Sequence, residues 1–377
     1  MKNIVVCYGG DSTERDISII TALQVFNNID DRLYKVIPVF YSGGEFFTSK
    51  NYKNIEYYVD FKRKTRQKVR FENGKLFYFS LKKPIKIDCV LNCCHGGKGE
   101  NGALQGFFDV ANIPYTSAGV LPSSICMDKV RSKECFKMLG LNVVDYIAFD
   151  DLTSDDMIIS TVENMLGYPV IVKPNDLGSS IGISVAKDKK SLRDALIVAK
   201  EFTNKIIVEK ALRDFDEYNC AGLLTDIDFF VSEVEKPKVS CDFLTFENKY
   251  LSSKNTNPSY LGAPNMKSSV ENYEKLEKSI KKATEKIVKN LGIYGVCRCD
   301  FLYSDGKLYV NEVNTIPGSL AYYLFKKQFN FASLLNMMIE SAISVFNKNK
   351  RINTTFRTEV LKTYHKNFKS GLIKLRK

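Results

Sequence analysis

The residues best placed to do chemistry are Arg298, Asp300, Glu312 and Asn314, all within VCRCDFLYSDGKLYVNEVNTIPG. Two short strand-like runs carry them, joined by a turn at Asp305-Gly306. Residues at i and i+2 of a strand project from one face, so Arg298 with Asp300, and Glu312 with Asn314, can each look into a common cleft. The two pairs reach the same side only if the hairpin has an odd-length loop or a bulge, as around Ser304 to Lys307 with Gly306 left-handed. Two carboxylates and one amide make an oxygen-only set suited to Mg2+, which completes its octahedron with water and substrate phosphates. An ATP site is the first expectation; a half-polar surface hairpin is the plainer reading of the same residues.

A second segment, YPVIVKPNDLGSSIGISVA at residues 168 to 186, pairs two buried strand-like runs, 169–172 and 183–185, around Gly178-Ser179-Ser180. Exposed backbone N–H groups and two hydroxyls there can cradle phosphate oxygens, with Lys173 as the cation. This is not a Walker loop, because the lysine precedes the glycine and a strand follows it. Alone, such a segment is more often an ordinary hairpin; joined to the acidic hairpin downstream, the phosphate reading is the better one.

These groups need a scaffold, and the chain reads as alternating α and β elements. Ile4 to Cys7 is a buried strand ended by Gly9-Gly10. Ser12 is placed to cap a helix running to about Asn27, with Ile17, Ile20 and Leu23 toward the core. Lys35 to Tyr41 and Asp88 to Asn92 read as further strands of a parallel sheet, which puts His95 at a carboxyl-end crevice where such sheets bind ligands. Helices follow at 130–139, before the Gly140 stop, and at 157–166 and 191–201, with a strand at 206–209. Residues 236–268, rich in Pro, Ser, Asn and Lys, read as a long functional loop. A helix over 274–290, the acidic hairpin and a helix over 331–346 complete the pattern.

At 377 residues the chain exceeds one ordinary core and suits two or three α/β domains. No basic leader precedes an apolar run and no apolar stretch approaches eighteen residues, so neither a signal peptide nor a membrane span is expected. Ten scattered cysteines without paired C-x-x-C modules read as reduced, mostly buried thiols of a cytosolic protein. With only His95 and His365, a structural zinc site is not expected. The net charge of +12 suggests nucleic acid at first sight, but ten Lys or Arg against Glu359 put +9 of it after Asn347. The rest is near neutral, and no RRM, KH or helix-turn-helix pattern is present. The basic run FKRKTRQKVR at 61–70 reads as a solvated excursion. In the tail, Leu361, Tyr364, Phe368, Leu372 and Leu375 recur at steps of three and four, an amphipathic helix weakened by Gly371. It reads as a terminal helix, with contact to a partner or an anionic membrane surface as the alternative.

VIVKPNDLGSSIGIS, IIVEKAL, CRCDFLY and NEVNTIPGS, in that order, resemble the ATP-grasp carboxylate-amine ligases, and specifically the D-alanine:D-alanine ligases. VVCYGGDSTERDISIITA at 5–22 and NCCHGGKGENGALQGFFDVANIPYTSAGVLPSSICMDK at 92–129 are similar to the same family. The resemblance covers roughly residues 1 to 346 and leaves the basic tail aside. It implies a three-domain ATP-grasp α/β fold: an N-terminal parallel-sheet domain over 1–126, a central subdomain over 127–207, and a C-terminal subdomain over 208–347 with the lid 236–268 and the metal site, followed by the tail 348–377.

By matching position, the resemblance implies that Lys129 and Lys173 hold the ATP phosphates under the loop containing Ser179 and Ser180. Glu209, with the backbone of Lys210 and Leu212, would line the adenine pocket, and Glu217 would reach the ribose. Asp300, Glu312 and Asn314 would bind two Mg2+ ions, with Mn2+ as a substitute. Glu14 would pair with the first substrate's ammonium, linked to Ser179 and Tyr250, with His95 nearby. Arg298 and the Gly318 N–H would donate to the tetrahedral oxyanion, and Lys249 would reach the γ-phosphate or the acceptor carboxylate. One position departs: Tyr323 stands where the family usually has a serine, so Ser319 or a tyrosine would meet the acceptor carboxylate. The implied reaction joins two D-alanines at the expense of ATP for peptidoglycan precursors, in a cytoplasmic homodimer. D-serine or another acceptor, or a non-catalytic nucleotide sensor, are the alternatives.

Overall fold

The computed structural model describes residues 1–59, 66–79, 83–178, 181–237, 273–352 and 358–369. They form three sheets. The first has the order β6-β5-β4-β3-β2-β1-β7, with β1 (Lys2–Gly9), β2 (Tyr34–Ser42), β3 (Glu45–Thr48), β4 (Gln67–Glu72), β5 (Lys75–Tyr78), β6 (Ile85–Lys86) and β7 (Cys89–Asn92). β1 pairs in parallel with β2 and β7, as the apolar runs suggested, while β3 to β6 extend the sheet antiparallel. The basic run is therefore not all solvated: Val69 and Phe71 alternate inward on β4 and are buried. The charges at its start mask that period, and residues 60–65 lie outside the described residues.

The second sheet has the order β10-β9-β11-β8, formed by β8 (Tyr146–Asp150), β9 (Val170–Pro174), β10 (Ser184–Ala186) and β11 (Lys205–Lys210), antiparallel throughout. The helices Asp155–Met165 and Lys189–Lys200 cover it, capped by Ser154 and Asp188, and bury Ile158, Val162, Leu192 and Leu196 against Val170, Val172 and Val208. The third sheet, β13-β12-β14-β15, comprises β12 (Asp216–Leu224), β13 (Phe229–Glu235), β14 (Gly295–Ser304) and β15 (Lys307–Asn314). The Tyr273–Leu291 helix presents Leu276, Ile280, Ile287 and Val288 to Tyr218, Cys220, Cys299 and Phe301 on one face, leaving the other for polar groups. Each such buried aliphatic contributes roughly 1.5–3 kcal/mol.

The first and third sheets share a core. Ile4, Val6, Tyr8 and Leu91 meet Leu320, Leu324, Leu334, Leu335 and Ile339, the last three on the Phe331–Lys350 helix. The Arg15–Asn28 helix contributes Ile19, Ala22 and Val25 to this cluster. Ile17, Ile20 and Leu23, expected there, are only partly buried. Ser12 does not cap that helix either: Glu14 holds the cap position, while Ser12 Oγ donates to the His95 carbonyl at 2.6 Å. Among the described residues nine cysteines are free, eight of them buried. No helix among them is long and apolar enough to cross a membrane.

Candidate active site

The acidic hairpin is closed by a two-residue turn, Asp305-Gly306, both with positive φ (50° and 74°). The bulge needed to align its polar pairs lies inside the strands instead of at the tip. Ser304 pairs with Lys307 and Phe301 with Val310, but Asp300 pairs with Glu312, so Asn311 is the extra residue. Arg298 consequently sits opposite Asn314, and Asp300 opposite Glu312, on one face. The row continues through Asn219 on β12 to Glu235 on β13. Arg298 grips Asp300 with two bonds of 2.6 and 2.8 Å, and Asn314 Nδ2 donates to Asp300 Oδ2 at 3.1 Å. Burial opposes the Arg298 charge, but Asp300 holds its pKa well above the ordinary value. The Asn314 amide oxygen, Glu312 and the remaining lone pairs of Asp300 form an all-oxygen donor set. It fits Mg2+ with phosphate completing the shell. Among the described residues no group of three His, Cys, Asp or Glu is placed to hold a metal by itself.

Facing this row is a buried cationic cluster. Glu209 lies two residues along β11 from Ile207, the partner of Lys173 on β9, so both side chains share a face. Lys173 Nζ donates to Glu209 Oε2 at 2.6 Å. Lys133 Nζ stands 3.0 Å from Glu209 Oε1 in an ion pair whose angle is not that of a hydrogen bond. Burial alone would raise the Glu209 pKa, but the two lysines hold it down to about 2. Lys129, at the start of the Lys129–Met138 helix, donates to the Leu177 carbonyl. Burial and Lys173 depress its pKa, against the pull of Glu312 and Glu209. Three lysines around one carboxylate leave an excess of positive charge, the environment a triphosphate requires.

A cavity of about 70 Å³ adjoins the row, lined by Glu14, Thr21, His95, Glu100, Arg298, Asn314 and the turn Ile316 to Ser319, among others. Glu14 is wedged between two glycines. A Cβ on Gly96 would come within 2.5 Å of its Oε2, and one on Gly178 within 3.0 Å. His95 is buried with both nitrogens engaged, Nδ1 with the Ile316 carbonyl at 2.5 Å and Nε2 with Thr21 Oγ1 at 2.9 Å. The carbonyl can only accept, so Nδ1 carries the proton and Nε2 accepts from the threonine. Burial lowers the His95 pKa to about 4, with Arg298 adding to the effect. The folded value lies below the ordinary one, so the neutral ring favours folding above about pH 6.5, and that contribution is lost as pH falls through 4. With two histidines in the chain, proton NMR should show one imidazole titrating only near pH 4; two rings titrating near 6.5 would contradict this burial.

The remaining candidates are spread around these groups. Tyr323 is buried, its hydroxyl 3.4 Å from Arg298 Nη1, and burial pushes its pKa up to about 12. Ser319 N–H donates to Thr21 Oγ1 at 3.0 Å. The Lys210 ammonium closes the end of the Asp155–Met165 helix through the Leu166, Gly167 and Tyr168 carbonyls, and its backbone N–H donates to the Asp145 carbonyl at 2.9 Å. Leu212 follows β11, and Glu217 lies on β12 opposite Leu302. Ser179, Ser180, Lys249 and Tyr250 lie outside the described residues.

The structure adds four residues that sequence reading missed. Lys133 lies four positions after Lys129, hence on the same helix face, and that spacing was a usable signal. Glu100 sits inside a glycine-rich segment; burial and Glu14 raise its pKa to about 7 against bonds from Gly96 and Ile316. Thr21 resembles any buried helix threonine. Burial likewise lifts Glu235 to about 7, although Arg298 opposes it.

Comparison with known proteins places the chain in a family. The family model described as D-ala D-ala ligase N-terminus matches residues 3–118, and that described as D-ala D-ala ligase C-terminus matches 135–340. A D-alanine–D-alanine ligase of Thermosipho melanesiensis is 36% identical over 370 residues, covering 96% of this chain and 99% of the relative. The solved D-alanine–D-alanine ligase of Helicobacter pylori superposes with a TM-score of 0.73 at 28% identity, covering 90% of this chain and 98% of that one. VanG D-Ala:D-Ser ligase of Enterococcus faecalis gives 0.75 at 29% identity, covering 92% and 99%. A parallel-containing sheet followed by two antiparallel sheets, superposing on solved D-alanine–D-alanine ligases along its length, gives the protein the fold of an ATP-grasp ligase. Within that class, the chain belongs to the D-alanine–D-alanine ligase family.

Proposed function

We propose that the protein joins two D-alanine molecules to D-alanyl-D-alanine, with ATP converted to ADP and phosphate, supplying peptidoglycan precursors in the cytoplasm as a homodimer. The observation that carries this reading is the single cavity where Glu14, Arg298 and Gly318 meet beside the Asp300–Glu312 row. The carboxylate of the first D-alanine takes the γ-phosphoryl group, giving an acyl phosphate and ADP. The free amine of the second then attacks the acyl carbon; the C–N bond forms, the C–O bond to phosphate breaks, and the amine's proton is released. Glu14 pairs with the first ammonium. Lys129 and Lys173 hold the phosphates, Glu209 and the backbone of Lys210 and Leu212 the adenine, and Glu217 the ribose. Arg298 and the Gly318 N–H stabilise the oxyanion, the term on which acyl transfer depends most. Asp300, Glu312 and Asn314 would hold Mg2+, which would supply charge neutralisation of the transferring phosphoryl group. Ser179, Ser180, Lys249 and Tyr250 complete the site by resemblance alone, and residues 1–126, 127–207 and 208–347 are assigned as its three domains.

The acceptor is the open choice at Tyr323 and Ser319, beside the buried Glu235. Phosphate release from Mg-ATP with single and paired amino acids, with product mass determined, tests the proposal. D-Alanine alone should give D-alanyl-D-alanine; turnover only with D-serine as partner would reassign the acceptor, and nucleotide binding without turnover would favour a sensor.

A further inference from the structure

The turn after β15 is held in an unusual shape. Ser319, Leu320 and Ala321 are consecutive non-glycine residues with φ of 54°, 50° and 47°. Left-handed backbone is unfavourable for such residues and persists only where the surroundings over-determine it. Here they do, and from a different part of the molecule. Glu100 Oε1 accepts the Ile316 N–H at 2.7 Å and the Thr315 hydroxyl at 3.3 Å, while its Oε2 accepts the Gly96 N–H at 2.9 Å. His95 donates to the Ile316 carbonyl, and Thr21 bridges the Ser319 N–H to His95. Thr21, His95 and Glu100 are all buried, and all come from the first-sheet side: the Arg15–Asn28 helix, the loop after β7 and the short Gly97–Glu100 helix that follows it. Within the turn itself, the Leu320 N–H donates to the Pro317 carbonyl at 2.8 Å and the Tyr322 N–H to the Ser319 carbonyl.

We propose that Thr21 and Glu100 are positioning residues for amide formation, fixing the turn from the first-sheet side so that the Gly318 N–H and Arg298 converge on one oxygen. This rests on the oxyanion role proposed above for those two donors. Neither Thr21 nor Glu100 needs to touch substrate; each acts through backbone. The device also couples the two parts of the molecule, since the turn keeps its shape only while the first sheet is seated against the third.

The test separates positioning from packing. Thr21→Val keeps the shape of the side chain but leaves the buried Ser319 N–H and His95 Nε2 without their partner. kcat for dipeptide formation should fall about 100-fold, the cost of a small misplacement at a reacting centre, with the KM for ATP unchanged within about twofold. Thr21→Ser, which keeps the hydroxyl, should restore kcat to within a few-fold of wild type. Glu100→Gln, whose amide would face an N–H donor, should repeat the kcat loss if Thr21→Val does not fold. Full activity of Thr21→Val, or of Glu100→Gln in its place, overturns the proposal, and so does equal impairment of Thr21→Ser and Thr21→Val, which would mark methyl packing. Wild-type protein that makes no dipeptide in the same assay overturns the ligase reading itself, and the positioning role with it; an active wild type with unimpaired variants removes the positioning role alone.

Discussion

Replacing Glu312 by glutamine should lower ATP-dependent turnover about 1,000-fold or more while leaving the fold intact. The substitution keeps the volume and one carbonyl oxygen, and the position is only partly buried on the polar face of β15. It removes one of the two carboxylates opposed across β14 and β15, and with it half the negative charge available to a divalent cation there. It also removes the attraction that Glu312 exerts on the buried Lys129. Phosphoryl transfer depends on positioned charge and contributes little covalent chemistry of the protein's own, so a lost metal ligand is not compensated elsewhere. Phosphate release and a circular-dichroism melt, measured together, distinguish the cases. Unchanged activity would remove the metal assignment; a collapsed melt would show that Glu312 serves the fold.

Glu209→Gln should weaken both stability and nucleotide binding. The wild-type carboxylate is 3% exposed and faces Lys173 at 2.6 Å and Lys133 at 3.0 Å. Breaking a buried ion pair by removing one partner typically costs about 3–5 kcal/mol, because the partner charge stays buried and uncompensated. Here two ammonium groups are stranded. At about 2–4 °C per kcal/mol, the melting midpoint should fall by roughly 6–20 °C. The KM for ATP should rise as well, because Lys173 loses the group that aims it. The wild-type sign follows from the depressed Glu209 pKa: its contribution is complete above about pH 4.5 and is lost as pH falls through 2. A melt within a degree of wild type would show that the lysines shed their protons or reach water when the carboxylate is gone.

Much of the fold was legible because apolar runs and alternation survive in the sequence. Val5 and Val6 on β1, Val170 to Val172 on β9, and the spacing of Leu276, Ile280 and Ile287 each announce their element. The antiparallel extension β3 to β6 was not legible, since its strands are short and β4 alternates Val69 and Phe71 with charges that read as solvated. Likewise the Arg15–Asn28 helix shows isoleucines on two faces, and tertiary context decides that Ile19 enters the core while Ile17 and Ile20 line the cavity. At the candidate site, residues with short-range spacing were found: Arg298 with Asp300, and Glu312 with Asn314. Thr21 and Glu100, whose partners lie far along the chain, were not, whereas His95, 221 positions from Ile316, was reached only through its place at the end of a parallel strand and through the resemblance. Thr21 and Ser319 are 298 positions apart, and Glu100 and Ile316 are 216 apart, so nothing local marks them.

The extra residue at Asn311 also decides which one-residue losses this hairpin can absorb. Without it Val310 and Glu312 would be neighbours facing opposite ways, still opposite Phe301 and Asp300, so loss of Asn311 alone leaves an unbulged ladder with every facing kept. A residue lost at Val313, where no such slack exists, would act on side-chain facing as a frameshift acts on translation and turn Asn314 to the apolar face. An insertion at Asp305-Gly306 lies beyond the last paired rung, Ser304 with Lys307, and carries no such penalty. The tip is therefore the place to graft a label or an epitope, and Val313, between Glu312 and Asn314, is where even the smallest deletion would not be tolerated.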